Sequence, residues 1–205
     1  MSVEGPAARD DLTVVVLAGG GSRRFGSDKL AAPLGGSTVL EAVVASLPTS
    51  WPVVVVGPER ECGRPVTWAR EDPPGGGPLA GVAAGMALVA TPLVAVVAGD
   101  MPYAGAALPA LADVLRTAPP EVAAVVARDA GGWPNPLLAV YRCAQVRAVL
   151  PDPAADRPAK LLLGLAHVEV DVAGPASRDV DTPADLAALA ILPTLTDLPT
   201  LTDDP

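Results

Sequence analysis

Uninterrupted apolar runs alternate along this chain with amphipathic or alanine-rich stretches. Leu12–Ala18 (LTVVVLA) has a β-branched centre and runs into glycines, the pattern of a strand buried on both faces of a parallel sheet. Pro52–Gly57 (PVVVVG) and Pro92–Ala98 (PLVAVVA) repeat it. Between these runs lie segments of helical character. Thr38–Leu47 opens on a Thr38/Glu41 capping box, and Leu79–Ala90 is rich in Ala, Leu and Met. The pattern then predicts a strand at Val122–Arg128, a strand-like stretch at Leu137–Tyr141 and a helix from about Cys143 to Leu150. Prolines 151, 153 and 158 interrupt it before Lys160–Leu165. Asp181–Ala190 (DTPADLAALA) has an N-capping Asp or Thr, a first-turn proline and good helix formers behind it.

Strands alternating with helices predict an α/β fold, a three-layer sandwich whose mostly parallel, Rossmann-like sheet is covered on both faces. Ligands of such sheets bind beyond the carboxyl ends of the strands, which directs attention to the loops after Ala18 and Ala98. Residues 1–191 read as one domain. Leu192–Asp197 and Leu198–Asp203 repeat LPTLTD, and the proline in each copy blocks a continuing helix. Two copies are too few for a stacked solenoid, so 192–205 reads as a disordered tail, with a regulatory or partner-binding tail as the alternative.

The chain has 205 residues, with 14 Lys plus Arg against 23 Asp plus Glu and a net charge of −9. That balance argues against broad contact with nucleic acid or an anionic membrane, since both need clustered cations. Half the residues are hydrophobic but only 3% are aromatic, so the core must be built from Ala, Val and Leu. One histidine, His167, and two distant cysteines, Cys62 and Cys143, cannot assemble a Cys/His zinc cluster. Any metal must therefore sit on oxygen. His167, beside a strand-like Val-Glu-Val, reads as structural. No secretory leader or bilayer-spanning run is recognisable, and a cytoplasmic location is expected.

Two segments carry candidate chemistry. The first run leads into Gly19-Gly20-Gly21-Ser22-Arg23-Arg24-Phe25-Gly26-Ser27-Asp28-Lys29. Consecutive glycines let backbone N–H groups converge on an anion, while Ser22, Arg24 and Lys29 add hydroxyl and cationic donors, the makings of a polyphosphate site. A solvated surface turn is the plainer alternative. Neither a P-loop nor the dinucleotide fingerprint fits: Gly21 and Gly26 have P-loop spacing but Ser27 and Asp28 follow, and Arg24 stands where the fingerprint needs its third glycine. The third run ends in Gly99-Asp100-Met101-Pro102. A carboxylate just past a buried strand can hold Mg²⁺ bridged to phosphates, or it can cap a helix starting near Tyr103.

Together these segments resemble the molybdenum cofactor guanylyltransferase (MobA-like nucleotidyltransferase) family. The family's opening motif, L-A-G-G-x-S-x-R-M-G-x-D-K, is matched from Leu17 and Ala18 through Lys29, departing only at Phe25 for Met. Gly77-Pro78-Leu79-Ala80-Gly81 matches a second block and is preceded by Asp72. Asp100-Met101-Pro102 matches a D-x-P turn, and Asp181-Thr182-Pro183-Ala184-Asp185-Leu186 matches a closing D/N-T-P-x-D/E-L stretch. The blocks stand in family order over nearly the whole chain.

The resemblance implies the fold of the nucleotide-diphospho-sugar transferases and transfer of GMP from Mg·GTP to the terminal phosphate of molybdopterin or the molybdenum cofactor. It places Leu17, Ala18, Gly19, Gly20, Gly21 and Ser22 around the nucleotide, Arg24 and Lys29 on the β- and γ-phosphates, Mg²⁺ on Asp100, and Asp72 near the base. The second glycine of L-A-G-G resembles guanine-using members, whereas cytidylyltransferase relatives more often read L-A-A-G. On the acceptor side the family's Gln-Pro and Asn-x-Asn-Thr-Pro are replaced by Asn135-Pro136 and Asp179-Val180-Asp181-Thr182-Pro183, which exchanges amide donors for negative charge. Arg157 and Lys160 are candidates to offset it. A cytidylyltransferase, a transferase with another phosphorylated acceptor, and a non-catalytic GTP-binding regulator remain the alternatives.

Overall fold

The computed structural model describes residues 11–20, 25–26, 28–129, 131–172 and 174–191. The tail expected over 192–205 lies outside them, as do Gly21, Ser22 and Arg24.

Strand β1 (Leu12–Leu17) leads through the glycine-rich segment to a two-residue-per-strand hairpin, β2 (Pro33–Leu34) and β3 (Ser37–Thr38), and to helix α1 (Val39–Ser46). Strands β4 (Val53–Val56) and β5 (Thr67–Ala69), helix α2 (Pro78–Met86) and strand β6 (Leu93–Ala98) follow. The second half adds α3 (Leu108–Thr117), β7 (Ala124–Arg128), β8 (Pro134–Arg142), α4 (Cys143–Val149), β9 (His167–Asp171) and α5 (Pro183–Ala190).

Seven strands form one sheet in the order β5-β4-β1-β6-β8-β7-β9. β8 alone runs against its neighbours β6 and β7; the remaining pairings are parallel. The valine runs fill the centre because a parallel strand covered on both faces must bury both sets of alternating side chains. Val14 and Val16 pack with Val43, Leu108 and Leu111 on one face, and Val15 packs with Leu79, Val82 and Val146 on the other. The three expected layers are therefore present.

The Thr38/Glu41 box is formed at both ends: Glu41 N–H donates to Thr38 Oγ1 at 3.2 Å and Thr38 N–H to Glu41 at 2.6 Å. α2 stops at Met86, short of Ala90, where successive tight turns carry the chain to Pro92. The segment after Asp100 makes a short 3₁₀ turn at Ala104–Ala106 before α3 begins at Leu108. Among the described residues no helix is long and apolar enough to cross a membrane.

Candidate active site

The site is built at the carboxyl ends of β1, β4 and β6. β1 is held there from both sides: Ala18 N–H donates to Val56 O at 2.7 Å, and Gly99 N–H to Leu17 O at 2.9 Å. Glycine is required at both flanks. A Cβ at Gly57, whose φ is +152°, would stand 2.6 Å from Ala18 O, and one at Gly99 would stand 2.7 Å from Leu17 O. The chain thus leaves the sheet through a slot too narrow for side chains, then turns through Gly20 at φ +119°.

Lys29 returns on a 3₁₀ turn (Lys29–Ala31) capped by Asp28, whose carboxylate accepts from Leu30 N–H at 3.1 Å. Asp28 is also tied to Arg60 at 2.6 Å. The Lys29 ammonium pairs with Asp100 and lies 3.2 Å from Asp181 Oδ1. Loss of hydration alone would lower its pKa, but Asp100 and then Asp181 outweigh that and hold it above the ordinary lysine value. Asp100 therefore faces a cation. The cap alternative is not realised, since Tyr103 occupies the N-cap of the following turn without any side-chain cap bond.

Asp179 and Asp181 complete an acidic trio with Asp100, each offering an oxygen within 4.8 Å of the others. The placement follows from local pattern. Val180 is fully buried and its N–H donates to Asp100 O at 2.9 Å, so the flanking carboxylates at 179 and 181 are presented beside Asp100. Thr182 then caps α5 with Asp185 in a capping box, which fixes where that segment ends. Hydration loss at the Asp179 carboxyl, followed by the charges of Asp100 and Asp181, raises its pKa above the usual aspartate value. Converging hard oxygen donors of this kind suit a divalent cation such as Mg²⁺. In the sequence Asp179 and Asp181 read as replacements for acceptor-side amides, and Asp181 also as a candidate helix cap in the closing motif; their position beside Asp100 depends on a backbone pairing 80 positions apart.

A cleft of about 600 Å³ opens beside this trio, lined by Leu17, Gly19, Gly20, Glu71, Gly75 and Asp100 among others. Ala18 is buried beneath it rather than lining it. Of the two neighbouring carboxylates at 71 and 72, the chain turns Glu71 rather than Asp72 into this cleft. Asp72 is exposed and absent from the lining, whereas Glu71 is nine-tenths buried within it. Glu71 Oε1 accepts from Gly75 N–H at 3.1 Å, and Oε2 is buried without a partner among the described residues. Gly19 makes room for it, since a Cβ there would stand 3.0 Å from Oε1. Neighbouring acidic residues 71 and 72 look interchangeable in sequence; only the turn decides which points inward.

A second cavity, about 380 Å³, is lined by Asp129, Gly131, Asn135, Ser177, Arg178 and Asp179 among others. Asp179 is thus common to this cavity and the trio. Lys160 and Arg157 are exposed, and the Arg157 backbone lies beside Gly77 at the first cleft rather than at the second. His167 sits on the edge strand with Nδ1 2.8 Å from Leu165 O, outside both cavities.

Comparison with known proteins agrees with this architecture. Residues 14–170 match the family model described as "MobA-like NTP transferase domain". A probable molybdenum cofactor guanylyltransferase of Deinococcus radiodurans is 32% identical over 189 residues, 87% of this chain and 94% of that protein. A nucleotidyl transferase from Methanothermobacter thermautotroptrophicus superposes with a TM-score of 0.71 at 22% identity, covering 88% of this chain and 96% of the other. The molybdopterin-guanine dinucleotide biosynthesis protein A of Archaeoglobus fulgidus gives 0.66 at 21% identity, over 87% and 96%. The chain belongs to the MobA-like NTP transferase family.

Proposed function

We propose that this nucleotidyltransferase moves GMP from Mg·GTP to the terminal phosphate of molybdopterin, or of its molybdenum-loaded form, and releases pyrophosphate. The observation that carries the reading is the acidic trio with Lys29 standing between two cavities. Asp100 lines the larger one, with Gly19 and Gly20, and Asp179 lines the smaller one, with Asn135 and Arg178. Donor and acceptor sites that meet at a charged centre are what an in-line transfer between two phosphates requires.

The donor triphosphate lies along Gly19 and Gly20, with Gly21, Ser22 and Arg24 contributing on the strength of the sequence motif. Lys29 exchanges its carboxylate partners for phosphate oxygens. Glu71 takes the base-side role expected of Asp72: its unpartnered oxygen accepts from the N1–H and N2 amino group of guanine, a donor pair that cytosine lacks at its pairing edge. Asp100, Asp179 and Asp181 hold Mg²⁺, which when bound neutralises charge on the phosphate oxygens.

An ionised oxygen of the acceptor phosphate attacks the α-phosphorus. The bond from that phosphorus to the oxygen bridging the β-phosphate breaks, and pyrophosphate leaves with the electron pair. The attacking group is already anionic, so no side-chain nucleophile is needed. The chain supplies alignment and relief of repulsion between two anions.

The test is turnover with purified molybdopterin, Mg²⁺ and each of GTP, CTP, ATP and UTP, following pyrophosphate and the dinucleotide product. GTP alone is expected to be consumed. Consumption of CTP instead reassigns the base, and tight GTP binding without pyrophosphate release identifies a regulator.

A further inference from the structure

The β7–β8 turn presents an indole for which the fold has no use. Trp133 is 73% exposed, whereas Trp51 is 7% exposed and packs in the core. Leaving so large an apolar surface in water forgoes the gain of burying it. The backbone of Asp129, Gly131, Gly132 and Trp133 is bonded in place. Asp129 Oδ1 accepts from Gly131 N–H at 2.8 Å and Trp133 N–H at 2.9 Å. Asp129 N–H donates to Trp133 O at 2.7 Å and Gly132 N–H to Asp129 O at 2.9 Å. The backbone that carries the exposed Trp133 indole is therefore held in place.

Its location gives that surface a purpose. The indole adjoins Gly131, where a Cβ would come within 3.3 Å of Trp133 Cδ1, and Gly131 lines the 380 Å³ cavity. Arg178 lines the same cavity and is exposed; its backbone N–H donates to Pro175 O at 3.0 Å, while its guanidinium makes no hydrogen bond or ion pair among the described residues. Ser177, buried, adds a hydroxyl. The cavity joins the acidic trio at Asp179. Trp133 is not itself among the lining residues but stands next to one of them, Gly131; an aromatic face so placed, an uncommitted guanidinium within the cavity and an opening onto the proposed phosphate-transfer centre suit a planar heterocycle that carries a phosphate.

We infer that Trp133 is the stacking platform of the acceptor site, receiving a planar conjugated ring against its indole while Arg178 meets the anionic part of the same molecule. This rests on the proposed acceptor reading and specifies the side chain that would recognise the ring. Stacking of a flat heterocycle on an aromatic side chain is worth about ten- to a hundredfold in affinity.

The test uses the full chain, with a 6-substituted pterin bearing a phosphate monoester as the aromatic probe and ribose 5-phosphate as the non-aromatic one. Affinities come from calorimetry, and Mg·GTP affinity is measured on the same samples. The expected result is that Trp133→Ala weakens the pterin phosphate about tenfold or more and leaves ribose 5-phosphate and GTP unchanged, while Trp133→Phe restores most of the pterin affinity. Quenching of tryptophan emission by the pterin should fall in Trp133→Phe despite retained binding. Wild-type pterin affinity in Trp133→Ala, or none in the parent chain, overturns the inference and leaves the donor reading standing on GTP binding. A parent chain that binds the pterin through Trp133 but never GTP overturns the donor reading and not this one.

Discussion

The ammonium of Lys29 and the carboxylate of Asp100, 71 positions apart, are paired beside the nucleotide cleft, with Asp181 on the same ammonium at 3.2 Å. Two of the three clustered carboxylates thus share one cation, and that cation competes with any divalent ion for the same oxygens. Removing it has opposite effects on two measurable quantities. Lys29→Met should bind Mn²⁺ more tightly than the wild type when no nucleotide is present, as read by electron paramagnetic resonance. The same change should lower the transfer rate by about 10²–10³-fold, the usual loss when a charge that stabilises a transition state is removed. Weaker nucleotide-free Mn²⁺ binding in the variant would show that Lys29 organises the trio rather than guards it.

Asp179 contributes to the trio at a cost in stability. Its pKa is raised, first by hydration loss and then by Asp100 and Asp181. A carboxyl whose folded pKa exceeds its unfolded value is best tolerated below the unfolded value, near 3.8, and it subtracts stability as pH rises through the folded value. Asp179→Asn should therefore melt at a higher temperature than the wild type at pH 7. The gain should shrink as pH falls and vanish below about pH 4, where Asp179 is protonated in both states. Thermal melts from pH 3.5 to 8 test this, and a pH-independent difference would remove electrostatic strain as the cause.

The sheet was legible because its central strands are continuous apolar runs, and two helices carry their own start signals, Thr38/Glu41 for α1 and the N-capping Thr182 for α5. β5 was not legible: three residues, Thr67–Ala69, make too short a run to show a period. α3 was displaced from the expected start near Tyr103 because the chain first spends a 3₁₀ turn at Ala104–Ala106. At the site, the motifs single out Lys29, Asp100 and Asp181, but the pairing of the three and the inward turn of Glu71 depend on how separate segments come together. Local spacing carries no record of those contacts.

The exit slot of β1 makes two glycines irreplaceable. Gly57 and Gly99 stand on either side of Leu17 and Ala18, each too close to a carbonyl oxygen for a Cβ. Gly99→Ala must push β6 away from β1 or shift the Asp100 turn that follows. Overpacking of this kind costs roughly 1–3 kcal/mol, and Gly57→Ala adds strain from its φ of +152°. Both variants should lose stability in urea melts, and Gly99→Ala should also lose Mn²⁺ affinity because Asp100 moves with it. A Gly99→Ala protein of wild-type stability and metal affinity would mean that the slot can widen freely.

Glu71 and Asp72 are adjacent carboxylates, and their separate substitution decides which one reads the base. In Glu71→Gln the amide oxygen can keep the bond to Gly75 N–H, which leaves the NH₂ where the unpartnered oxygen was. A donor would then face the two donors of guanine, while cytosine, with acceptors at N3 and O2, would meet a complementary group. The ratio of kcat/KM for GTP over CTP should fall about ten- to a hundredfold in Glu71→Gln, the range expected when a buried hydrogen-bonding group is mismatched. Asp72→Asn, changed at an exposed position outside the cleft, should keep the wild-type ratio. Because both substitutions are isosteric and leave the helix and sheet contacts intact, a fall confined to Asp72→Asn would return the base-reading role to Asp72 and require the 71–75 turn to invert when nucleotide binds.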